Sequence, residues 1–291
     1  MKPAPFEYFD PRTVEEAVSL LQEHGEDAKI LAGGQSLMPL LSMRMARPEA
    51  LIDLSRVAGL EYIREADGAL AIGAMTSKRA VERSALVKNR QPLLHAATLW
   101  IAHPQIRNRG TVGGSMAHAD PAAEYPAVAL DLGAELRAVG PDGERSIEAG
   151  DFFVSYLTTA LGPAEVLTEV RFPVLAEGTG WGFQELSRRH GDFAIAGAAV
   201  ILSIPGRGRC ASARVVLFGV GPTPVRARGA EEILVGEALG PPLLERAARR
   251  ASEDLDEPLS DVHASAEFRR HLAGVLTRRA LTEAMARAGG G

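Results

Sequence analysis

The chain has a single cysteine, Cys210, in 291 residues. One thiol forms no internal disulfide, builds no thiolate zinc site and holds no iron–sulfur cluster. A reducing, cytoplasmic setting fits that scarcity. No excess of one charge is present either: 32 Lys and Arg stand against 37 Asp and Glu, for a net charge of −5. Basic residues are interspersed with acids, apart from short Arg-rich turns near the C-terminus, so nothing points to nucleic acid or an anionic membrane as partner. No apolar run is long enough to span a bilayer, and the opening Met1-Lys2-Pro3-Ala4-Pro5-Phe6 has no apolar signal core. There is no internal repeat and no low-complexity block.

Several catalytic signatures are missing as well. Neither glycine-rich turn ends in the Gly-Lys-Ser/Thr of a phosphate loop. Gly219-Val220-Gly221 follows an apolar strand but has Pro224 where a dinucleotide fingerprint needs its third glycine, so it reads as a turn. No Gly-x-Ser-x-Gly elbow supports a nucleophilic hydrolase. His118, Asp120 and Glu124 offer metal-ligand types within seven residues. A two-residue spacing across a helix start does not aim His118 and Asp120 at one point, and Asp120 reads better as a cap, so no metal is expected.

The composition that remains is that of an ordinary globular protein, 46% hydrophobic and 24% charged, long enough for two or three domains. Thr13 and Glu16 form a capping box ahead of a helix whose one face carries Val14, Ala17, Val18, Leu20 and Leu21 and which ends at Gly25. Strands at 29–32 and 51–54 flank an apolar segment, which gives a small βαβ-type unit. A hairpin follows over 60–74, then helices over 76–87 capped by Thr76, over 93–101, and over 121–132 capped by Asp120. A hairpin over 135–147 and a strand over 166–172 complete this part, and 175–180 reads as a linker. Strands near 181–186, 196–204 and 214–218, then helices near 229–235, 241–254 and 263–288, predict a compact α+β domain.

Two glycine-centred turns about eighty residues apart carry the functional signal: Ala32-Gly33-Gly34-Gln35-Ser36-Leu37 and Gly110-Thr111-Val112-Gly113-Gly114-Ser115. Paired glycines let the backbone turn with positive φ and approach a ligand closely. Consecutive N–H groups make an anion-holding concavity, and Ser36, Thr111 and Ser115 add hydroxyls. Two such turns in one fold are suited to holding a diphosphate from both sides.

Taken together, 32–37, 100–115 and Ala119-Asp120-Pro121-Ala122-Ala123-Glu124 resemble the FAD-binding medium subunit of molybdenum hydroxylases, the xanthine dehydrogenase and aerobic carbon monoxide dehydrogenase family. Ser187-Arg188-Arg189-His190-Gly191-Asp192-Phe193-Ala194 and 219–226 look like that family's C-terminal domain. The resemblance implies an α+β protein with a vanillyl-alcohol-oxidase-type FAD-binding fold of two subdomains (1–57 and 58–176) followed by an α+β C-terminal domain (177–291). It implies FAD as cofactor, and as partners an iron–sulfur small subunit and a molybdopterin large subunit, commonly as a dimer of three-subunit units. Electrons would run from the partner's [2Fe–2S] clusters through FAD to an external acceptor.

Carried over by position, the resemblance gives Ala32, Gly33, Gly34, Gln35, Ser36 and Leu37 the diphosphate and adjoining ribose. Thr111, Gly113, Gly114 and Ser115 close over the diphosphate and ribityl chain. Glu124 replaces the shorter Asp familiar at a sugar-binding position. Ile101 stands beside the ring systems, where some relatives have an aromatic. Asp192 and Phe193 belong to a loop approaching the isoalloxazine, and Leu167, by a looser alignment, lines the adenine pocket. The cysteine-rich insertion of a relative acting on benzoyl-type thioesters is absent. A stand-alone flavin oxidase of the same fold, and an assembly protein that has lost FAD, are the alternatives.

Overall fold

The structure is a computed structural model that describes residues 2–205 and 208–288. It contains three sheets of three or more strands, each with its own layer of helices. The first part comprises β1 (Glu7–Phe9), α1 (Val14–His24), β2 (Ala28–Leu31), α2 (Leu37–Ser42) and β3 (Ala50–Asp53). Its sheet has the order β1-β3-β2, with both pairings parallel. Thr13 caps α1 by accepting from the Glu16 N–H at 3.1 Å, and the Glu16 carboxylate reaches back to the Arg12 N–H at 2.6 Å. The helix buries Ala17, Val18 and Leu21 on this sheet, as its apolar spacing requires.

The second part runs β4 (Ile63–Ala66), β5 (Ala69–Gly73), α3 (Lys78–Arg83), α4 (Ala85–Arg90), α5 (Pro92–Thr98), α6 (Pro104–Arg107), α7 (Val112–His118), α8 (Glu124–Leu132), β6 (Glu135–Gly140), β7 (Gly143–Glu148), α9 (Ala149–Phe152), β8 (Phe153–Ser155), β9 (Thr158–Thr159) and β10 (Val166–Pro173). Its antiparallel sheet has the order β4-β5-β10-β6-β7. The late strand β10 thus lies between two earlier ones and fastens both ends of the segment together.

Two helix starts differ from the sequence reading. The helix expected over 76–87 is two helices, because Ser84 both ends α3 and caps α4, accepting from the Val87 N–H at 3.2 Å. Ser77, not Thr76, caps α3; the Thr76 hydroxyl bonds the Tyr62 backbone instead. Likewise Asp120 caps no helix. It accepts from the Ala122 N–H at 2.9 Å in a tight turn, and α8 begins at Glu124.

The third part has β11 (Thr179–Leu186), β12 (Ala196–Ser203), β13 (Ser212–Phe218) and β14 (Val225–Arg226) in an antiparallel sheet of that order. The helices α10 (Arg228–Leu234), α11 (Pro241–Glu253) and α12 (Ala266–Ala288) cover one face. Contact with α12 is at backbone range: a Cβ on Gly180 or Gly182 would lie 1.8 Å from the Ala284 carbonyl oxygen or 2.0 Å from that of Ala280. The opposite face packs on the second part, with Trp100 tilted against Phe183 at 6.4 Å and Phe183 in turn stacked on Phe218 of the same sheet at 5.6 Å. No described helix is long and apolar enough to cross a membrane.

Asp131, near the end of α8, is fully buried and both its carboxyl oxygens lack a hydrogen-bond partner. Burial pushes its carboxyl well above the usual range, against the pull of Arg214. The unfolded chain ionises this group at lower pH than the folded one does, so its contribution to stability falls as pH rises above the ordinary Asp range. Asp131→Asn is therefore expected to gain on the parent as pH is raised from acid towards neutral. Urea midpoints measured across that interval check this, and a constant difference would contradict it.

Candidate functional site

The structure brings the two glycine turns into direct contact. A Cβ on Gly33 would lie 2.3 Å from the Arg109 carbonyl oxygen and 2.7 Å from the Gly110 Cα, so only glycine fits there. Ala32 approaches the second turn too, its Cβ 3.4 Å from where one on Gly114 would stand. Gly34 has φ of +72°, the left-handed turn its position predicts. Gln35 closes that turn by donating to the Gly33 carbonyl at 3.1 Å. Ser36 follows, and Leu37 opens α2.

The second motif differs from its sequence reading. Gly113 and Gly114 have no positive φ and form the first turn of α7, with Thr111 as its cap accepting from the Gly114 N–H at 3.0 Å. What requires glycine at 113 is packing: a Cβ would lie 2.5 Å from that of Ala74 and 2.8 Å from the Ala74 carbonyl oxygen. The backbone here is held from below. Lys78 N–H donates to Gly110, Val112 to Thr76 and Gly113 to Ala74, at 2.8, 3.0 and 2.8 Å. Ser115 lies within α7, partly exposed.

Ile101 is buried just past α5. Its loop is anchored by Arg107, which the sequence reading missed. This buried guanidinium donates to the Ile101 and Ala102 carbonyls at 2.8 and 3.0 Å and to Glu82 at 2.8 Å. The neighbouring His103 ring touches the 187–194 loop, where a Cβ on Gly191 would stand 2.7 Å from it. Trp100 meets His190 edge-on at 5.5 Å. Asp192 follows Gly191, and Phe193 is 71% exposed. Leu167 is buried on β10 in the same apolar cluster as Ile101 and Val112.

Glu124 opens α8 and is only 7% exposed. Burial pushes its carboxyl up to about 7, opposed by the Lys78 ammonium. Lys78 is partly buried as a residue, but its ammonium lies over the fully buried Tyr125 ring at 5.5 Å. That enclosure lowers its pKa, with Glu124 acting the other way. The Tyr125 hydroxyl shares a hydrogen bond with Thr98 at 2.9 Å. Among the described residues, no three of the His, Cys, Asp and Glu side chains gather in a metal-holding group.

These residues fit a dinucleotide. The first turn is tight, Cβ-free at Gly33 and Gly34, and abuts the start of α7, where the Thr111 hydroxyl caps the helix and Ser115 is partly exposed. The N–H groups of 112–115 are all bonded within the protein, so the backbone left to face a diphosphate is that of the first turn. The partly buried Lys78 and the buried Glu124 carboxyl suit the polar sugar part.

Comparison with known proteins gives the family. Residues 4–175 match the family described as the FAD-binding domain in molybdopterin dehydrogenase. Residues 181–284 match the CO dehydrogenase flavoprotein C-terminal domain. The chain is 46% identical, over 99% of its length and 97% of the relative's, to the 6-hydroxypseudooxynicotine dehydrogenase complex subunit alpha of Paenarthrobacter nicotinovorans. It is 42% identical to the carbon monoxide dehydrogenase medium chain of Afipia carboxidovorans, over 99% of each. Among solved structures, carbon monoxide dehydrogenase from Hydrogenophaga pseudoflava superposes with a TM-score of 0.96 at 42% identity, covering 99% of both chains.

Proposed function

Because this chain belongs to the FAD-binding medium subunits of the molybdenum hydroxylase complexes, we propose that it takes electrons from the [2Fe–2S] clusters of an iron–sulfur partner subunit and passes them through FAD to an external acceptor. It is an oxidoreductase flavoprotein subunit, and FAD is its cofactor. The single observation that carries the reading is the contact between Gly33 and the Arg109–Gly110 backbone, which joins two turns from distant parts of the chain into one cradle. The lone cysteine supports a division of labour, because the clusters must then belong to another chain.

The redox step is the cofactor's, which exchanges electrons with one-electron and two-electron partners; the protein's part is to hold and orient it. In our reading Ala32 to Leu37 grip the diphosphate and the adjoining ribose through backbone N–H groups and the Ser36 hydroxyl. Thr111, Gly113, Gly114 and Ser115 close over the other side. Glu124 accepts from a sugar hydroxyl. Ile101 packs against a ring without stacking, and Leu167 walls the adenine pocket. Asp192 and Phe193 guard the isoalloxazine. The segments 1–57, 58–176 and 177–291 act as two cofactor-holding subdomains and a covering domain.

The reading is tested by affinity-purifying the tagged chain from its native host, recording the absorption spectrum and identifying what co-purifies. Flavin with an iron–sulfur subunit and a molybdopterin subunit, at the mass of a dimer of heterotrimers, is the expected result. Flavin on an isolated chain that turns over a substrate by itself would replace this reading with that of a stand-alone oxidase.

A further inference from the structure

The loop between β11 and β12 leaves at Leu186 and returns at Ala196. It is closed at its root, where the Ile195 N–H donates to the Leu186 carbonyl at 2.8 Å. Beyond the root it meets the second part through rings, Trp100 against His190 and His103 against Gly191. Arg188, Arg189, His190 and Phe193 are exposed, so little of the loop's own packing fixes its place.

What fixes the root comes from α12. Arg269, near the start of that helix, is only 3% exposed. Its Nη1 donates to the Ile195 carbonyl and, at 2.6 Å, to the Gly219 carbonyl. Its Nη2 donates to Asp261 at 2.7 Å. The other Asp261 oxygen accepts from the His263 and Ala264 N–H groups at 2.8 and 3.1 Å, which aims the carboxylate at the guanidinium. Gly219 has φ of +71°, and a Cβ there would stand 2.9 Å from the Ile195 carbonyl oxygen. The Gly219 N–H donates to the Pro121 carbonyl at 2.8 Å, in the turn that leads into α8. One buried guanidinium therefore ties the loop root to Gly219, and Gly219 is itself bonded to the FAD-binding part. Without that donor, two buried carbonyls would face each other unsatisfied.

We propose that Arg269 is a positioning residue for the flavin: by drawing the Ile195 and Gly219 carbonyls onto one nitrogen, it sets where the 187–194 loop stands against the FAD-binding part and hence how the isoalloxazine is covered. This rests on the reading above that places Asp192 and Phe193 at that ring. Arg269 acts through the loop and takes no part in the redox step. A lysine is a poor substitute, because its ammonium lacks the planar fork that serves two carbonyls on one side and a carboxylate on the other.

The neighbouring Arg270 separates this role from plain support of α12. It too donates to two carbonyls, those of Leu255 at 2.5 Å and Asp256 at 3.1 Å, but these belong to the segment after α11 and not to the loop.

The test compares the FAD-loaded full chain as parent, Arg269→Lys, Arg269→Gln and Arg270→Gln. Visible-region circular dichroism and the flavin midpoint potential read how the ring is held, and urea midpoints read stability separately. Both Arg269 variants are expected to lose much of the flavin dichroism and to move the potential towards that of free FAD. Their Ile195 and Gly219 amides should exchange about tenfold faster or more, the scale of one lost charge-assisted hydrogen bond. Arg270→Gln is expected to keep the parent's dichroism and potential even where its urea midpoint falls. Arg269 variants with the parent's dichroism and potential overturn the positioning role, and so does an Arg270 variant that shifts both equally. If the Arg269 variants do not fold, Asp261→Asn is used, which puts an NH2 group opposite Nη2 and keeps the oxygen that His263 and Ala264 need. It should shift the same two readouts in the same direction, and no shift overturns the proposal. A parent chain that takes up no FAD overturns the cofactor reading, and this inference with it.

Discussion

Gly33→Ala is expected to strip the protein of FAD while most of the fold survives. The added methyl carbon would stand 2.3 Å from the Arg109 carbonyl oxygen and 2.7 Å from the Gly110 Cα. Both obstacles are backbone, and no rotamer change relieves them. The second turn has little room to retreat, since its 110–113 segment is hydrogen-bonded to Ala74, Thr76 and Lys78. The clash is therefore relieved by prising the two turns apart. Overpacking of this kind costs about 1–3 kcal/mol. Taken out of cofactor binding at about 1.4 kcal/mol per tenfold, that weakens FAD roughly ten- to hundredfold. Flavin-to-protein ratios after gel filtration read the effect directly. Gly150→Ala is the control, because a Cβ there meets nothing within 4 Å. Gly33→Ala protein that retains a full complement of FAD would falsify the placement of the cradle.

The second large effect is expected at Arg107. Its guanidinium is buried, paired with Glu82, and bonded to the carbonyls of Ile101 and Ala102. Arg107→Ala leaves those carbonyls without their donor and Glu82 with only Arg79. Removing one member of a buried pair costs about 3–5 kcal/mol, which is a large share of a domain's net stability. The unfolding midpoint in urea should fall accordingly, and the 101–103 loop should lose its hold on the 187–194 loop, seen as faster proteolysis near His103. Arg107→Lys should recover little, because an ammonium does not reproduce the planar fork that serves three acceptors. Full rescue by lysine would mean that charge alone matters at this position.

The sequence made the architecture readable where local signals were unopposed. Thr13 and Glu16 announced α1, Gly34 announced a left-handed turn, and the strands-then-helices order of the last hundred residues announced an α+β unit with α10, α11 and α12. Local signals misled where two competed. Thr76 and Ser77 are both cap residues, and the backbone of Tyr62 claimed the first, leaving α3 to the second. Asp120 before Pro121 reads as a helix start, but the chain spends that signal on a turn and opens α8 at Glu124. The second glycine pair reads as a turn and is helical, because closeness to Ala74, invisible from spacing, is what selects glycine at 113. Arg107 and Lys78 escaped notice for the same reason: each matters through partners distant in sequence or on another element. Glu185, buried without a hydrogen-bond partner, did leave a trace. Alternation along 181–186 puts an acid in line with Trp181 and Phe183, a pattern that asks what lies opposite.

The Gly33–Gly110 contact also sets an order of events. The two turns are separated by more than seventy residues, and the second part of the fold is closed only when β10 pairs with both β5 and β6. Contacts so far apart along the chain form late, after loop closure has been met by compensating packing. A chain that stops short of β10 is therefore expected to hold the two turns together less firmly than the whole protein does. FAD bound to the finished cradle acts as a ligand that favours the folded state by mass action, so its gain in stability depends on the joining of two distant stretches of chain.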